Sequence, residues 1–180
     1  LAEQGIQAGT VINAAAAVSA PLDLAAANAE LSSGFNRIYA LHFLRTLIPA
    51  AQAKDNRFPG HIDIRRAQTA RTLREFDDAV TAPLHGFRGV DHYYASSSAG
   101  PLLGEVRVPT LLLHAANDPF LPLAALPQTK HLSANLAMEI HARGGHVGFV
   151  HGGLPGRIDW LPQRLLAHFD TYMPNDYAVR

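Results

Sequence analysis

Three short, mainly apolar runs in the chain have the length and composition of buried strands. They cover residues 14 to 18, 108 to 113 and 136 to 142, and turns containing proline, glycine, asparagine or aspartate follow them. Continuous apolar runs of this length are typical of strands that are covered on both faces of a parallel sheet. The pattern therefore predicts an α/β fold in which the three runs are parallel strands with flanking helices.

The chain between the first two runs has helical periodicity. Asp23 is placed to cap a helix over residues 24 to 31, and apolar residues recur at helical spacing from 34 to 48, just before a proline. After a polar stretch, a further helix is predicted from about residue 66 to 80 and a short one near 90 to 95.

This helical segment divides the chain into two predicted parts. Residues 1–22 and 106–180 are assigned to the α/β core, and residues 23–105 to a helical insertion. Long helical excursions on the carboxyl side of a parallel sheet are where lids over active sites lie. The insertion is therefore expected to be a lid or cap.

A final amphipathic helix is predicted over residues 159 to 170. Asp159 suits its N-cap, and a proline three residues later falls within the tolerated first turn. The apolar stripe expected to pack on the sheet consists of Leu161, Leu165 and Phe169.

Candidate catalytic side chains lie on the loops after the second and third runs. Asp118 precedes Pro119, and His146 follows two glycines, 28 residues further along the chain. This spacing leaves room for one crossover helix and one strand. A buried carboxylate can hold a neutral histidine in the tautomer that accepts a serine proton, and acid-then-histidine is the end of the order Ser…Asp…His in α/β-hydrolases.

The alternatives for these loop residues are structural. Asp118 could simply cap a turn before proline, and His146 could be a loop histidine beside glycines. Their order and spacing together favour the catalytic interpretation. Phe120 and Phe149 flank the pair and are candidates for lining an acyl pocket, with ordinary loop packing as the alternative.

Other polar clusters are interpreted as structural. Asp77-Asp78 could be paired acid/base carboxylates, but nearby arginines favour an ion-pair and capping cluster. Ser96 to Ser98 lie in a predicted turn. His141, His146 and His151 share no face that would bind a metal, so neither a metal nor another cofactor is expected.

Composition excludes several functional classes. The 180 residues contain 15 basic and 15 acidic side chains, so binding to nucleic acid through phosphate neutralisation is not expected. No apolar run reaches the roughly 20 residues of a membrane span. Residues 11 to 20 resemble a signal-peptide core, but no basic residue precedes them. The absence of cysteine excludes disulfides and suits the cytoplasm; nothing indicates the oligomeric state.

Seven segments together identify a family resemblance. They are Ser19-Ala-Pro-Leu-Asp23, Glu75-Phe-Asp-Asp78, Thr81-Ala-Pro-Leu-His-Gly-Phe87, Asp91-His-Tyr-Tyr94, Pro109-Thr-Leu-Leu-Leu-His-Ala115, Asp118-Pro-Phe120 and Gly144-Gly-His-Val-Gly-Phe149. They resemble the YheT-like branch of the α/β-hydrolases, bacterial relatives of the eukaryotic AB-hydrolase-domain esterases and of medium-chain acyl-ester enzymes of yeast. The resemblance covers nearly the whole chain.

The resemblance implies a serine esterase with Asp118 as the triad acid and His146 as the triad base. The residue before the acid is often also aspartate in that family, whereas this chain has Asn117. The chain contains no Gly-x-Ser-x-Gly, so the resemblance places the serine elbow upstream of Leu1 and makes the chain a C-terminal portion of an α/β-hydrolase fold.

The parent protein is therefore expected to hydrolyse carboxylic esters that have acyl chains of medium length. This chain would supply the aspartate and the histidine of its catalytic triad. The chain alone is expected to be inactive. Two alternatives remain open at this point: a non-catalytic hydrolase fragment or pseudoenzyme, and an acyltransferase that uses the same triad. The expected partner is a small-molecule ester substrate.

Overall fold

A computed structural model of the chain describes residues 1–173 and contains one parallel sheet of three strands. The strands, in the order β1-β2-β3, are β1 (Ala15–Val18), β2 (Thr110–Ala115) and β3 (Leu136–His141). Each strand coincides with a predicted run to within two residues. The predicted α/β class, with parallel strands and flanking helices, is confirmed.

The central strand β2 is the most deeply buried element. All six of its residues are buried, because it has a strand on either side and apolar side chains on both faces. Leu112 packs on one face with Leu103 and Val106. Leu111 and Leu113 pack on the other, as the two-residue period of a strand requires.

The described residues form two compact units, residues 1–22 together with those from 99 onward, and residues 23–98. The first unit contains the sheet. The second is helical, with a core of Leu44, Ala51, Ala67, Phe76, Ala79 and Val80. The role of this second unit as a lid stays a prediction.

The helices of the chain are mostly short. In the helical unit they are α1 (Leu24–Leu31), α2 (Arg37–Arg57), α3 (Ile64–Thr69), α4 (Leu73–Phe76), α5 (Ala82–Leu84) and α6 (Val90–Ser97), with a π-helical turn at Asp77–Thr81. The sheet unit contributes α7 (Trp160–Asp170). Turns of 3₁₀ helix occur at Gly5–Thr10, Gly34–Asn36, Gly100–Glu105, Leu123–Ala125 and Thr129–His131. None of the helices in residues 1–173 has both the length and the hydropathy of a membrane span.

Helix α1 begins where the sequence predicted. The Asp23 side chain accepts a hydrogen bond from the backbone N–H of Ala26 at 3.0 Å, the ordinary N-cap interaction. Helix α2, in contrast, continues past Pro49 to Arg57, so the end predicted before this proline is wrong. The residues after Pro49 include strong helix formers, and Ala51 packs in the core of the helical unit.

The single helix predicted from about residue 66 to 80 is also wrong, because the chain breaks between α3 and α4. Thr72 accepts from the backbone N–H of Glu75, whose carboxylate accepts from the backbone N–H of Thr72 at 3.3 Å. This capping box satisfies the free N–H groups of a new helix start. Charged residues keep helical spacing across this break, so their periodicity predicted one continuous helix.

Helix α7 packs on the sheet largely as predicted. Leu161 and Leu165 are partly buried against the cluster around Leu111 and Leu113, whereas the buried residue near the end of the helix is His168 rather than Phe169. The spacing from Leu165 to His168 continues the same helical face. The His168 Nε2 atom lies 2.9 Å from the carbonyl oxygen of Ala15, so an N–H donated there ties α7 to β1.

Candidate active site

Three loops meet at the carboxyl edge of the sheet. Ser19 follows β1, Asp118 lies three residues after β2, and His146 lies five residues after β3. Because the strands are parallel, all three loops leave the sheet at one edge, where sites in open α/β sheets form. The fold thus brings together an acid and a histidine from separate loops.

The two predicted catalytic side chains form a direct hydrogen bond. The Nδ1 atom of His146 lies 2.9 Å from the Oδ2 atom of Asp118. The Asp118 side chain is fully buried and that of His146 is 38% exposed. We assign the proton to Nδ1, since a carboxylate accepts hydrogen bonds, which leaves Nε2 free to act as a base.

The second oxygen of Asp118 is also occupied. Its Oδ1 atom accepts the backbone N–H of Phe120 at 2.9 Å, a short-range turn interaction typical of aspartate. The carboxylate is thereby fixed in orientation by its own loop while Oδ2 faces His146. The Asp118 side chain therefore both stabilises its own turn and contacts His146.

The two predicted pocket phenylalanines differ in their surroundings. Phe120 is partly exposed, and its ring lies edge-on to His146 with 5.1 Å between the ring centroids. Phe149 is 3% exposed and stacks on Trp160 at 5.3 Å, within the core on one face of the sheet. A direct contact of either ring with substrate stays a prediction.

His114, the fifth residue of β2, is a buried histidine near the pair. It is 1% exposed, and neither ring nitrogen has a hydrogen-bond partner among residues 1–173. Burial lowers the pKa of His114; the nearby negative charge of Asp118 partly opposes this, and His146 adds to it. His114 is therefore neutral at physiological pH.

The other predicted polar clusters have structural contacts. Asp78 accepts from Arg66 at 2.7 Å and from the backbone N–H of Val90 at 3.0 Å, and Asp77 accepts from the hydroxyl of Tyr94 at 2.8 Å. Ser96 and Ser97 lie in α6 rather than in the predicted turn, and the hydroxyl of Ser98 donates to a carbonyl oxygen near the end of that helix. Within the described part of the chain, no three histidine, aspartate or glutamate side chains form a potential metal site.

Comparison with known proteins gives three informative relatives. The chain is 37% identical over 164 residues to the protein named "Putative esterase YheT" of Escherichia coli (strain K12), covering 90% of the chain and 48% of that protein. It is 32% identical to the mouse phospholipase ABHD3 (84% and 38%), and 31% identical to the human monoacylglycerol lipase ABHD2 (59% and 26%). The chain belongs to the YheT-like α/β-hydrolase family.

The chain thus spans about half the length of the first of these YheT-like relatives, and less of the other two. No protein-family model matches the chain. No solved structure matches it. The family assignment therefore depends on the full-sequence similarities and agrees with the motifs read from the sequence.

Sequence reasoning missed three polar residues beside the pair. The side chain of Asn117 accepts the backbone N–H groups of Gly144 and Gly145, and the hydroxyl of Ser19 donates to the carbonyl oxygen of His146. Ser19 and His114 lie within segments that carry the family resemblance, and Asn117 immediately precedes Asp118. No spacing rule predicts that the side chain of Asn117 or Ser19 binds the backbone of another loop, or that His114 is buried without a partner among residues 1–173.

Proposed function

We propose that the protein containing this chain is a serine carboxylic-ester hydrolase in which Asp118 and His146 are two members of the catalytic triad. The observation that carries the proposal is the 2.9 Å contact between His146 Nδ1 and the buried carboxylate of Asp118. The names of the relatives, an esterase, a phospholipase and a monoacylglycerol lipase, support ester hydrolysis as the reaction class.

The proposed chemistry divides between the two side chains. His146 Nε2 accepts the proton of the nucleophilic serine as its oxygen attacks the ester carbonyl carbon, and then transfers that proton to the departing alcohol. Water repeats the sequence to release the acid. Asp118 stabilises the imidazolium that forms at each proton transfer. The serine itself is expected from outside residues 1–180, which contain no Gly-x-Ser-x-Gly.

The substrate proposal is an ester with an acyl chain of medium length. The partly exposed ring of Phe120 beside His146 supports an apolar contact near the reacting carbonyl. Phe149 is better suited to support the loop from within the core, because it is 3% exposed. The helical unit, residues 23–98, is proposed to be the lid. The absence of cysteine supports a cytoplasmic location.

Hydrolysis of p-nitrophenyl esters by the intact protein tests the proposal, with acyl chains from acetate to dodecanoate. We expect H146Q and D118N to lower kcat by about three to four orders of magnitude. H151Q is the matched control. His151 contacts Asp159 at 3.1 Å in a similar pair that is separate from the bond between Asp118 and His146, and this variant should retain full activity.

Labelling of the intact protein with a fluorophosphonate provides an independent measurement, since the reagent reacts with an activated serine. Labelling of the wild type and its loss in H146Q would support the proposal. No labelling of the wild type would contradict it and favour a non-catalytic relative. Transfer of the acyl group to an added alcohol, in preference to water, would indicate an acyltransferase instead.

A further inference from the structure

The backbone of the loop carrying His146 is held at three successive residues. The Oδ1 atom of Asn117 accepts the N–H of Gly144 at 2.9 Å and that of Gly145 at 3.0 Å. The carbonyl oxygen of Gly144 accepts the N–H of Phe149 at 2.8 Å. The carbonyl oxygen of His146 accepts the hydroxyl of Ser19. Few degrees of freedom remain for the histidine backbone.

Asn117 has a particular place in this arrangement, because it immediately precedes Asp118. The loop of the acid therefore contacts the loop of the base twice, once through Asn117 to the backbone and once through Asp118 to the imidazole. One amide oxygen accepts two consecutive N–H groups, which fixes the direction of the peptide between them. Gly145 has a φ of 61°, a conformation that favours glycine and that this pair of bonds stabilises.

We propose that Asn117 is a positioning residue that sets the orientation of His146 toward Asp118. This inference rests on the proposed function in one respect, since it takes His146 to be the catalytic base. A hydrogen bond weakens steeply as its angle closes, and a displacement of about 1 Å from productive geometry lowers enzymatic rates about 100-fold. Without the acceptor at Asn117, the N–H groups of Gly144 and Gly145 would donate to water instead, and the loop carrying His146 would shift.

Three substitutions of Asn117 distinguish the effect of its hydrogen-bond acceptor from the effect of its side-chain size. N117L is close in size but has no acceptor, and N117A lacks the acceptor without adding apolar bulk. N117D keeps an oxygen able to accept both N–H groups. The positioning role therefore predicts that N117D resembles the wild type and that N117L and N117A do not.

The deciding measurement is the tautomer of His146 in the intact protein labelled with ¹⁵N-histidine, with the His146 signals assigned from H146Q. In the wild type and N117D, we expect the nitrogen shifts of a ring protonated at Nδ1. In N117L and N117A, we expect a mixture dominated by the Nε2–H form of free histidine. The wild-type shifts in N117L and N117A would overturn the proposal.

Kinetics and melting complete the test. We expect kcat of N117L to fall about 10- to 100-fold with KM unchanged, and N117D to restore it to within about threefold of the wild type. Loss of the cooperative melting transition in both N117L and N117A would overturn the proposal, since the acceptor would then maintain the fold rather than the ring. If the wild type hydrolyses no ester, the proposed function fails, whereas the tautomer measurement still decides the role of Asn117.

Discussion

At the scale of single residues, His114 shows how an unpaired polar side chain affects stability. Its ring nitrogens have no partner within residues 1–173, and the side chain is almost fully buried. Leaving such a group unsatisfied costs roughly 1–3 kcal/mol. We expect H114L to raise the free energy of unfolding of the intact protein by about 1 kcal/mol at pH 8, as measured by urea denaturation.

The pKa of His114 adds a pH dependence with a definite sign. Burial lowers the pKa in the folded protein, so below about pH 6.5 the unfolded chain takes up a proton that the folded chain does not. The wild type should therefore lose stability as the pH falls from 7 to 5, and H114L should lose less. H131L is the control, since His131 is exposed. A less stable H114L at both pH values would contradict the prediction.

Gly144 is constrained by packing rather than by its backbone conformation. A Cβ atom at this position would lie 2.7 Å from the ring of Phe149 and 2.8 Å from the Cβ atom of Ala115. Both neighbours belong to the core on one face of the sheet, so neither can move freely. We expect G144A to destabilise the intact protein by about 1–3 kcal/mol, measured by thermal melting.

Gly153 provides the matched control for that substitution. It has an ordinary φ, and no atom lies within 4 Å of the position its Cβ would occupy. G153A should melt within about 1 °C of the wild type, because surface substitutions away from special features change stability little. Equal melting temperatures for G144A and the wild type would contradict the prediction.

At the scale of elements, sequence periodicity predicted the strands and several helices but not the breaks between helices. The strands follow from continuous apolar runs, and the start of α1 follows from the cap at Asp23. The break before α4 depends on reciprocal bonds between Thr72 and Glu75. Their Thr-x-x-Glu spacing is the sequence signal of a helix start, but the helical periodicity of the charged residues around it favoured one continuous helix. Similarly, the acid and the histidine were predictable from loops after strands, whereas Asn117 was not, because its partners are backbone groups of a distant loop.

The start of α6 depends on a carboxylate from another element. Asp78 accepts the N–H of Val90, the first residue of α6, and a hydrogen bond from Arg66. The bond from Val90 lowers the pKa of Asp78 most, and the contact with Arg66 lowers it further. Because the folded pKa is depressed, the stabilisation is complete above about pH 5 and is lost as the pH falls through the folded pKa.

We therefore expect D78N to destabilise the intact protein by about 1 kcal/mol at pH 7, and the difference from the wild type to shrink toward pH 3. Urea denaturation at several pH values measures the free energy of unfolding of both proteins. D91N is the control, because Asp91 also pairs with an arginine, Arg74, at 2.7 Å but is 85% exposed. Such exposed pairs contribute little. A pH-independent effect of D78N would contradict the assignment to the ionised carboxylate.

At the scale of the whole molecule, the sheet has an open edge at β1. Among the residues that the structure describes, β1 pairs only with β2, and its four residues are Ala15, Ala16, Ala17 and Val18. No charged residue or proline interrupts this strand. An unpaired apolar edge is a template for pairing with another chain, so we expect the 180-residue chain, expressed alone, to self-associate and to hydrolyse no ester.

The register of β1 provides a variant that tests the edge directly. The N–H of Ser19 donates to the carbonyl oxygen of Leu113 in β2 at 2.8 Å, and the N–H of Ala15 donates to that of Pro109, immediately before β2, at 2.9 Å. Since successive N–H groups of a strand alternate in direction, that of Ala16 points away from β2. A16P therefore removes a donor from the open edge only and should reduce association in light scattering after size-exclusion chromatography. A17P removes a donor to β2 and should abolish cooperative melting. A monodisperse wild-type chain with one sharp melting transition would contradict the prediction, because the edge at β1 would then not promote association.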